Sequence, residues 1–341
     1  MFNNQYVQSP FVQDSYRFTE NLLSYINSGT DQVEPSLLEN FNKILSDAYQ
    51  NGMPEARKII HNALFLIYQT HLSYPLSAAA RRQHDEVLLI IKQRAERAWL
   101  SEEFRDVRFT DVEDLNVNFP NYLIGLWKGH RAARHDLFDF LERDATREQL
   151  FLFFKSDSAL NLIFFDLVAY TLIGAEQETR GTVSENLWDE IGHGDNYFTH
   201  VNLYKNLLER QDISLPENHY IDLYGVDALA GHNAFMIGAV NRCHYYKLLG
   251  VMAMTEVLDP PQYTKLVNGC IRLGLIDKDV HYYNEHITID IKHGDDWLYN
   301  VIDVIASKYP DSRQEFYLGC LLRLQTAERY YDNLLKEIKN I

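Results

Sequence analysis

The sequence predicts an all-α protein, a helical bundle with an additional N-terminal helical segment. Three observations carry this. Glycine (16) and proline (9) are scarce in 341 residues. Apolar residues recur at three- and four-residue spacing along most of the chain, the period of a helix face. No run alternates apolar and polar residues as a half-buried strand would, and no segment repeats.

Taken in order, the first hundred residues give helices at roughly 15–27, 35–49, 54–72 and 77–99. The last carries Arg81, Arg82, Asp85, Glu86, Lys92 and Arg94. His61, His71 and His84 have no carboxylate at ligand spacing and read as ordinary surface or core histidines. Around 101–120 the composition turns acidic and irregular, with Asp111, Glu113 and Asp114 ahead of Pro120. A boundary here divides the chain into an N-terminal helical extension (1–105) and a larger helical domain (106–341). The second part opens with a helix near 121–142, followed by a buried helix over 151–173 rich in phenylalanine. Gly174 permits a turn into a helix at 176–191, which Gly192 and Gly194 stop. Another helix starts near Tyr197. A long apolar helix over 226–257 should end at Pro260–Pro261. A short helix at 262–273, the helix from about Asp279 and a final one near 312–339 complete the domain.

Composition bounds the function. Lys plus Arg is 32 and Asp plus Glu is 48, a net charge of −16. This speaks against nucleic acid or an anionic membrane surface as partner. The three cysteines, Cys243, Cys270 and Cys320, are widely spaced without a CxxC pair, so neither a disulfide framework nor a zinc knuckle is indicated. The N-terminus lacks a signal-peptide pattern and no stretch approaches a membrane span. These features predict a cytoplasmic protein.

The chemistry concentrates in His286, Asp290 and His293. Offsets of four and seven residues rotate by about 40° and −20° on a helix, so the three side chains share one face. Two imidazoles and a carboxylate suit iron or manganese better than a thiolate zinc or all-oxygen calcium site. The competing reading is a polar helix face with incidental histidines. Glu190 precedes the glycines and His200 follows them, so a chain reversal can bring both onto one ion. The alternative is a helix C-terminus with a surface histidine. His193, between the glycines, reads as a turn residue. Glu256 falls on the apolar stripe of its helix, where a carboxylate must be neutralised, hydrogen-bonded or bound to a cation. A buried arginine partner is the alternative.

Asp157 and Asp166 compete for a further ligand position. In an antiparallel pair of helices joined near Gly174, ~1.5 Å per residue places Asp157 roughly 24 Å from the turn, Glu190 roughly 21 Å and Asp166 roughly 10 Å. Asp157 matches better, although Lys155-Ser156-Asp157-Ser158 also resembles a helix start. Together Asp157, Glu190, His200, Glu256, His286, Asp290 and His293 make up the complement of a dinuclear carboxylate site. The ferritin-like version needs two ExxH motifs, which the chain lacks, so a different scaffold is needed.

A carboxylate with a His ten residues on, then a helix-borne Glu some thirty residues before HxxxDxxH, resembles the haem-oxygenase-like diiron oxidases, the iron-containing redox enzyme family. Glu190, His200, Glu256, His286, Asp290 and His293 match that pattern, as does the local text from Asn186 to Asp195. The resemblance covers about 151–335 and leaves the N-terminal hundred residues uncovered. The first-helix ligand, commonly Glu in the family, is Asp here. The resemblance implies a haem-oxygenase-like bundle that binds two Fe(II) ions, with Mn as an alternative, uses O2 as co-substrate and holds no haem.

It further implies an oxidase or oxygenase acting on a small amino acid or amine, by N-oxygenation or another oxidative step. The alternative with the same metal is desaturation, C–C cleavage or decarboxylation of an aliphatic or amino-acid substrate. A third reading, from another class, is a metal-free helical interaction protein. The expected partner is a small-molecule substrate, with an external electron donor and a homodimer compatible and neither nucleic acid nor membrane involved.

Overall fold

The computed structural model describes residues 10–29, 35–108, 112, 117–217 and 219–341. Among these every regular element is helical, and none is long and apolar enough to cross a membrane. Much of the expected 101–120 boundary segment, including Asp111, Glu113 and Asp114, lies outside the described residues. The chain divides into two compact units, Met1–Val107 and Arg108–Ile341.

The first unit contains α1 (Pro10–Asn27), α2 (Pro35–Tyr49), α3 (Pro54–Gln69), the single turn α4 (Ala78–Arg81) and α5 (Glu86–Glu103). The helix expected over 77–99 is broken, because Asp85 caps α5 by accepting from the backbone N–H groups of Val87 and Leu88. Leu22, Phe41, Leu64, Ile91 and Trp99 form its core. His61 lies edge-on to Trp99, the satisfied core histidine the sequence suggests.

The second unit holds α6 (Phe119–Gly129), α7 (Asp136–Arg143), α8 (Arg147–Asn161), α9 (Phe164–Leu172), α10 (Arg180–Glu190) and α11 (His200–Arg210). After these come α12 (Val226–Val240), α13 (Tyr245–Arg272), α14 (His281–Asp295), α15 (Asp303–Lys308) and α16 (Ser312–Lys339). α13 is the central element and packs against α7, α12, α14 and α16. Its crossing with α16 is close enough to require glycine. A Cβ on Gly319 would stand 2.1 Å from the Lys247 carbonyl oxygen, and one on Gly250 would stand 2.3 Å from that of Phe316.

Other expected helices differ from those observed, and the 121–142 stretch is α6 and α7 with a 3-10 turn at Arg131–Arg134 between them. The 151–173 stretch is two helices, since Ile163 leaves helical geometry (φ −119°, ψ 2°). The expected 226–257 helix is interrupted at Asn241 (φ −126°, ψ 111°), where Arg242 donates to the carbonyls of Ile173 and Gly174. The Pro260–Pro261 pair does not end α13, which continues through it to Arg272. Two prolines remove the N–H partners of the Glu256 and Val257 carbonyls, at a cost of ~3 kcal/mol each in an exposed helix. Here the helix is buried on several sides, and that packing overrides the local preference.

Candidate metal centre

Four helices supply the acidic and imidazole side chains. α10 ends at Glu190 and the chain reverses through Gly192 (φ +59°), His193 (φ 55°) and Gly194 (φ +85°). The reversal is tight: a Cβ on Gly192 would lie 2.4 Å from the Phe198 carbonyl carbon. Thr199 then caps α11, accepting from Asn202 N–H at 3.3 Å. His200 is thereby turned back onto Glu190, with Nδ1 3.0 Å from Oε2. His193 stays at the surface as a turn residue, its ring 2.7 Å from Asp189 Oδ1.

On α14 the four- and seven-residue spacing does what helix geometry requires. His286, Asp290 and His293 are 5%, 2% and 1% exposed and share the face turned toward α13. They do not converge on a single point. His286 joins Glu190 and His200, whereas Asp290 and His293 join Glu256, and within each trio one ligand atom per residue lies within 4.8 Å of the others. Gly294 keeps α14 close to α13 at this level, since a Cβ there would come 2.9 Å from Val257 Cγ1.

Hydrogen bonds set which ring nitrogens face inward. His286 Nδ1 donates to the Tyr282 carbonyl at 2.7 Å, leaving Nε2 for the first trio. His293 Nε2 donates to Asp189 Oδ2 at 2.9 Å, leaving Nδ1 3.6 Å from Glu256 Oε2 and 3.8 Å from Asp290 Oδ1. Asp189 is thus a carboxylate behind a histidine, an arrangement that orients metal-binding imidazoles. Glu256 Oε1, Asp290 Oδ1 and His293 Nδ1 are buried without a hydrogen-bond partner, and His200 Nδ1 has only the Glu190 carboxylate beside it. Leaving one such atom unsatisfied costs about 1–3 kcal/mol. Three in one place, with the Glu190–His200–His286 trio adjoining them and all donors oxygen or imidazole, fit iron or manganese.

The electrostatics agree. Burial, with Glu256, Asp259 and Glu190 adding, drives the Asp290 carboxyl well above the usual range. Burial and the neighbouring His200 push His286 down to about 3. Burial opposes ionisation of Glu190, yet His200 brings it below its ordinary value. His200 is raised in turn, because Glu190 outweighs its burial. For His293 burial is outweighed by Glu256, with Asp189 and Glu190 adding, and the ring is pushed up to about 9. Without a cation, protons must hold these carboxylates together.

Asp157, expected as the first-helix ligand, belongs to neither trio. α8 begins eleven residues earlier at the capping box of Thr146 and Gln149, so Asp157 is mid-helix and not a cap. Asp166 lies on α9, across the break at Ile163, so counting height along one helix does not apply to the pair. Asp157 instead faces a cavity also lined by Glu256, His286, Asp290, Asp259 and Arg323. Burial raises it to about 6, against the Asn161 amide, which donates to it at 2.9 Å, and Arg323. Burial pushes Asp259 up to about 8, with Arg323 opposing and Asp157 and Glu256 adding. Asp189, Asp259 and Arg323 have no signal in the sequence beyond position: Asp189 adjoins Glu190, and Asp259 stands one turn after Glu256.

The model of a family described as iron-containing redox enzymes matches residues 152–328, more than half of the chain. The chain belongs to this family. All six residues of the two trios, with Asp157, Asp259 and Arg323, fall inside the stretch matched to the iron-containing redox enzymes. The all-α architecture is the haem-oxygenase-like bundle. A solved structure from Nostoc punctiforme, titled a CADD-like protein of unknown function, is similar over 65% of this chain and 96% of its own, at 17% identity and a TM-score of 0.49. No curated protein matches the sequence.

Proposed function

We propose that this protein is a cytoplasmic, O2-dependent non-haem diiron oxidoreductase acting on a small amino acid or amine. The observation that carries the reading is the pair of adjacent buried trios, with inward atoms of Glu256, Asp290 and His293 that lack hydrogen-bond partners. Glu190, His200 and His286 would hold one ion; Glu256, Asp290 and His293 would hold the other, as Fe(II) or alternatively Mn(II). Bound ferrous ions supply the electrons that activate O2 for N-oxygenation or a related oxidation. The chain's own residues do the rest. Tyr282 and Asp189 fix the tautomers of His286 and His293, and burial excludes bulk water from both trios. Three carboxylates and three imidazoles leave the pair of divalent ions near neutrality, which suits a buried site.

The cavity beside the trios favours a polar substrate over a fatty acid, because Asp157, Asp259, Arg323, Asn161 and Gln262 line it. C–C cleavage, decarboxylation or desaturation of an amino acid uses the same site and is the second reading.

The test is anaerobic ferrous reconstitution followed by O2 with a panel of amino acids, amines and fatty acids. The expected result is O2 consumption and a transient visible absorption triggered by a member of the first two classes. Triggering by fatty acids alone would move the assignment to aliphatic cleavage or desaturation. An iron-free protein indifferent to O2 would return it to a helical interaction module.

A further inference from the structure

The cavity beside the trios holds a guanidinium and carboxyl groups that are not paired with each other. Arg323 on α16 is 7% exposed. Its Nε donates to Thr255 Oγ1 at 2.9 Å, and its guanidinium carbon lies 5.4 Å from the centre of the Phe235 ring. Among the described residues no carboxylate reaches it within the 4.0 Å of an ion pair. Asp157 and Asp259, which line the same cavity and sense its charge, stand beyond that distance. Each is held by a neutral neighbour: Asp157 by Asn161, and Asp259 by the Tyr263 hydroxyl. A buried guanidinium is expensive to desolvate without an anion, and its planar fork matches a carboxylate with two parallel N–H bonds. Thr255 occupies Nε, which leaves Nη1 and Nη2 for such a pair. Thr255 also directly precedes Glu256, so an anion on Arg323 is anchored next to the second trio.

We infer that Arg323 binds the carboxylate of the substrate while Asp157 and Asp259 face its ammonium group, so that the enzyme takes a free amino acid and rejects both simple amines and fatty acids. This deepens the functional reading above and rests on it for the reaction, though not for binding.

The test uses the full chain, loaded anaerobically with Fe(II), and matched probes. These are L-lysine with cadaverine and 6-aminohexanoate, L-leucine with isopentylamine and 4-methylpentanoate, and L-phenylalanine with phenethylamine and 3-phenylpropanoate. Binding is read by calorimetry and thermal shift on wild type, Arg323→Gln, Arg323→Lys and Asp259→Asn, with iron counted in every sample. At least one amino acid should bind wild type ten-fold or more tighter than its amine and its acid. Arg323→Gln should lose that preference over the amine, Arg323→Lys should keep part of it, and Asp259→Asn should lose preference over the acid. Both Arg323 variants should retain the wild-type iron count and helical circular dichroism, which separates lost recognition from lost structure. The inference is overturned if wild type prefers an amine or acid, if no amino acid binds, or if Arg323→Gln binds the amino acid as wild type does. Wild type without iron would instead sink the metal-centre reading while leaving the binding comparison intact.

Discussion

The side chains that decide the account are those with a defined hydrogen-bonding state. Asp189 accepts from His293 Nε2 and so commits Nδ1 to the second trio. Asp189→Asn removes the anionic acceptor, and iron affinity at Glu256, Asp290 and His293 should fall about 10–100-fold. The first trio should be untouched, so iron per chain after desalting should drop from two to one. His293 also sets a pH dependence. Metal needs the neutral ring, while the protein holds it protonated up to about 9. Competition with a chelator at pH 6.5, 7.5 and 8.5 should show affinity rising with pH.

The metal-free protein should behave in the opposite sense. A folded pKa raised from 6.5 to about 9 gives stability that is present below 6.5 and lost as pH rises through 9. Asp290, also raised, acts in the same direction. The melting temperature of the metal-free chain should therefore be lower at pH 9 than at pH 7. At this scale the sequence disclosed the six trio residues because helix spacing and a glycine-flanked reversal are local. It could not disclose Arg323, whose role depends on where α16 crosses α13.

The reversal between α10 and α11 is the element on which the first trio depends. Gly192 combines a positive φ with a backbone only 2.4 Å from where a Cβ would stand. Gly192→Ala should cost about 1–3 kcal/mol or more and separate His200 from Glu190. The expected outcome is a lower melting temperature together with loss of one iron, whereas a local loop effect alone would leave the iron count unchanged. The helix boundaries show where local reading stops. Asp85 caps α5 inside a stretch that reads as one helix, and Pro260 and Pro261 were expected to end a helix that tertiary burial carries onward. The break at Ile163 has no proline or glycine to announce it. That unannounced break is why the height argument for Asp157 does not hold.

For the molecule as a whole, helical periodicity and scarce glycine and proline were enough to assign the all-α class, since both report on the backbone throughout the chain. The grouping of the ligands was less accessible. Residues from Glu190 to His293 come together only because α13 and α14 pack closely, through Gly294, at the height of Glu256. Sequence spacing placed three α14 side chains on one face but could not divide them between two trios. Anaerobic Fe(II) titration with iron counted per chain tests the central claim most directly. Wild type should hold two ions, His286→Ala and His293→Ala one each, and the double variant none. Variants that keep the wild-type count, or a wild type that retains no iron, would contradict the account.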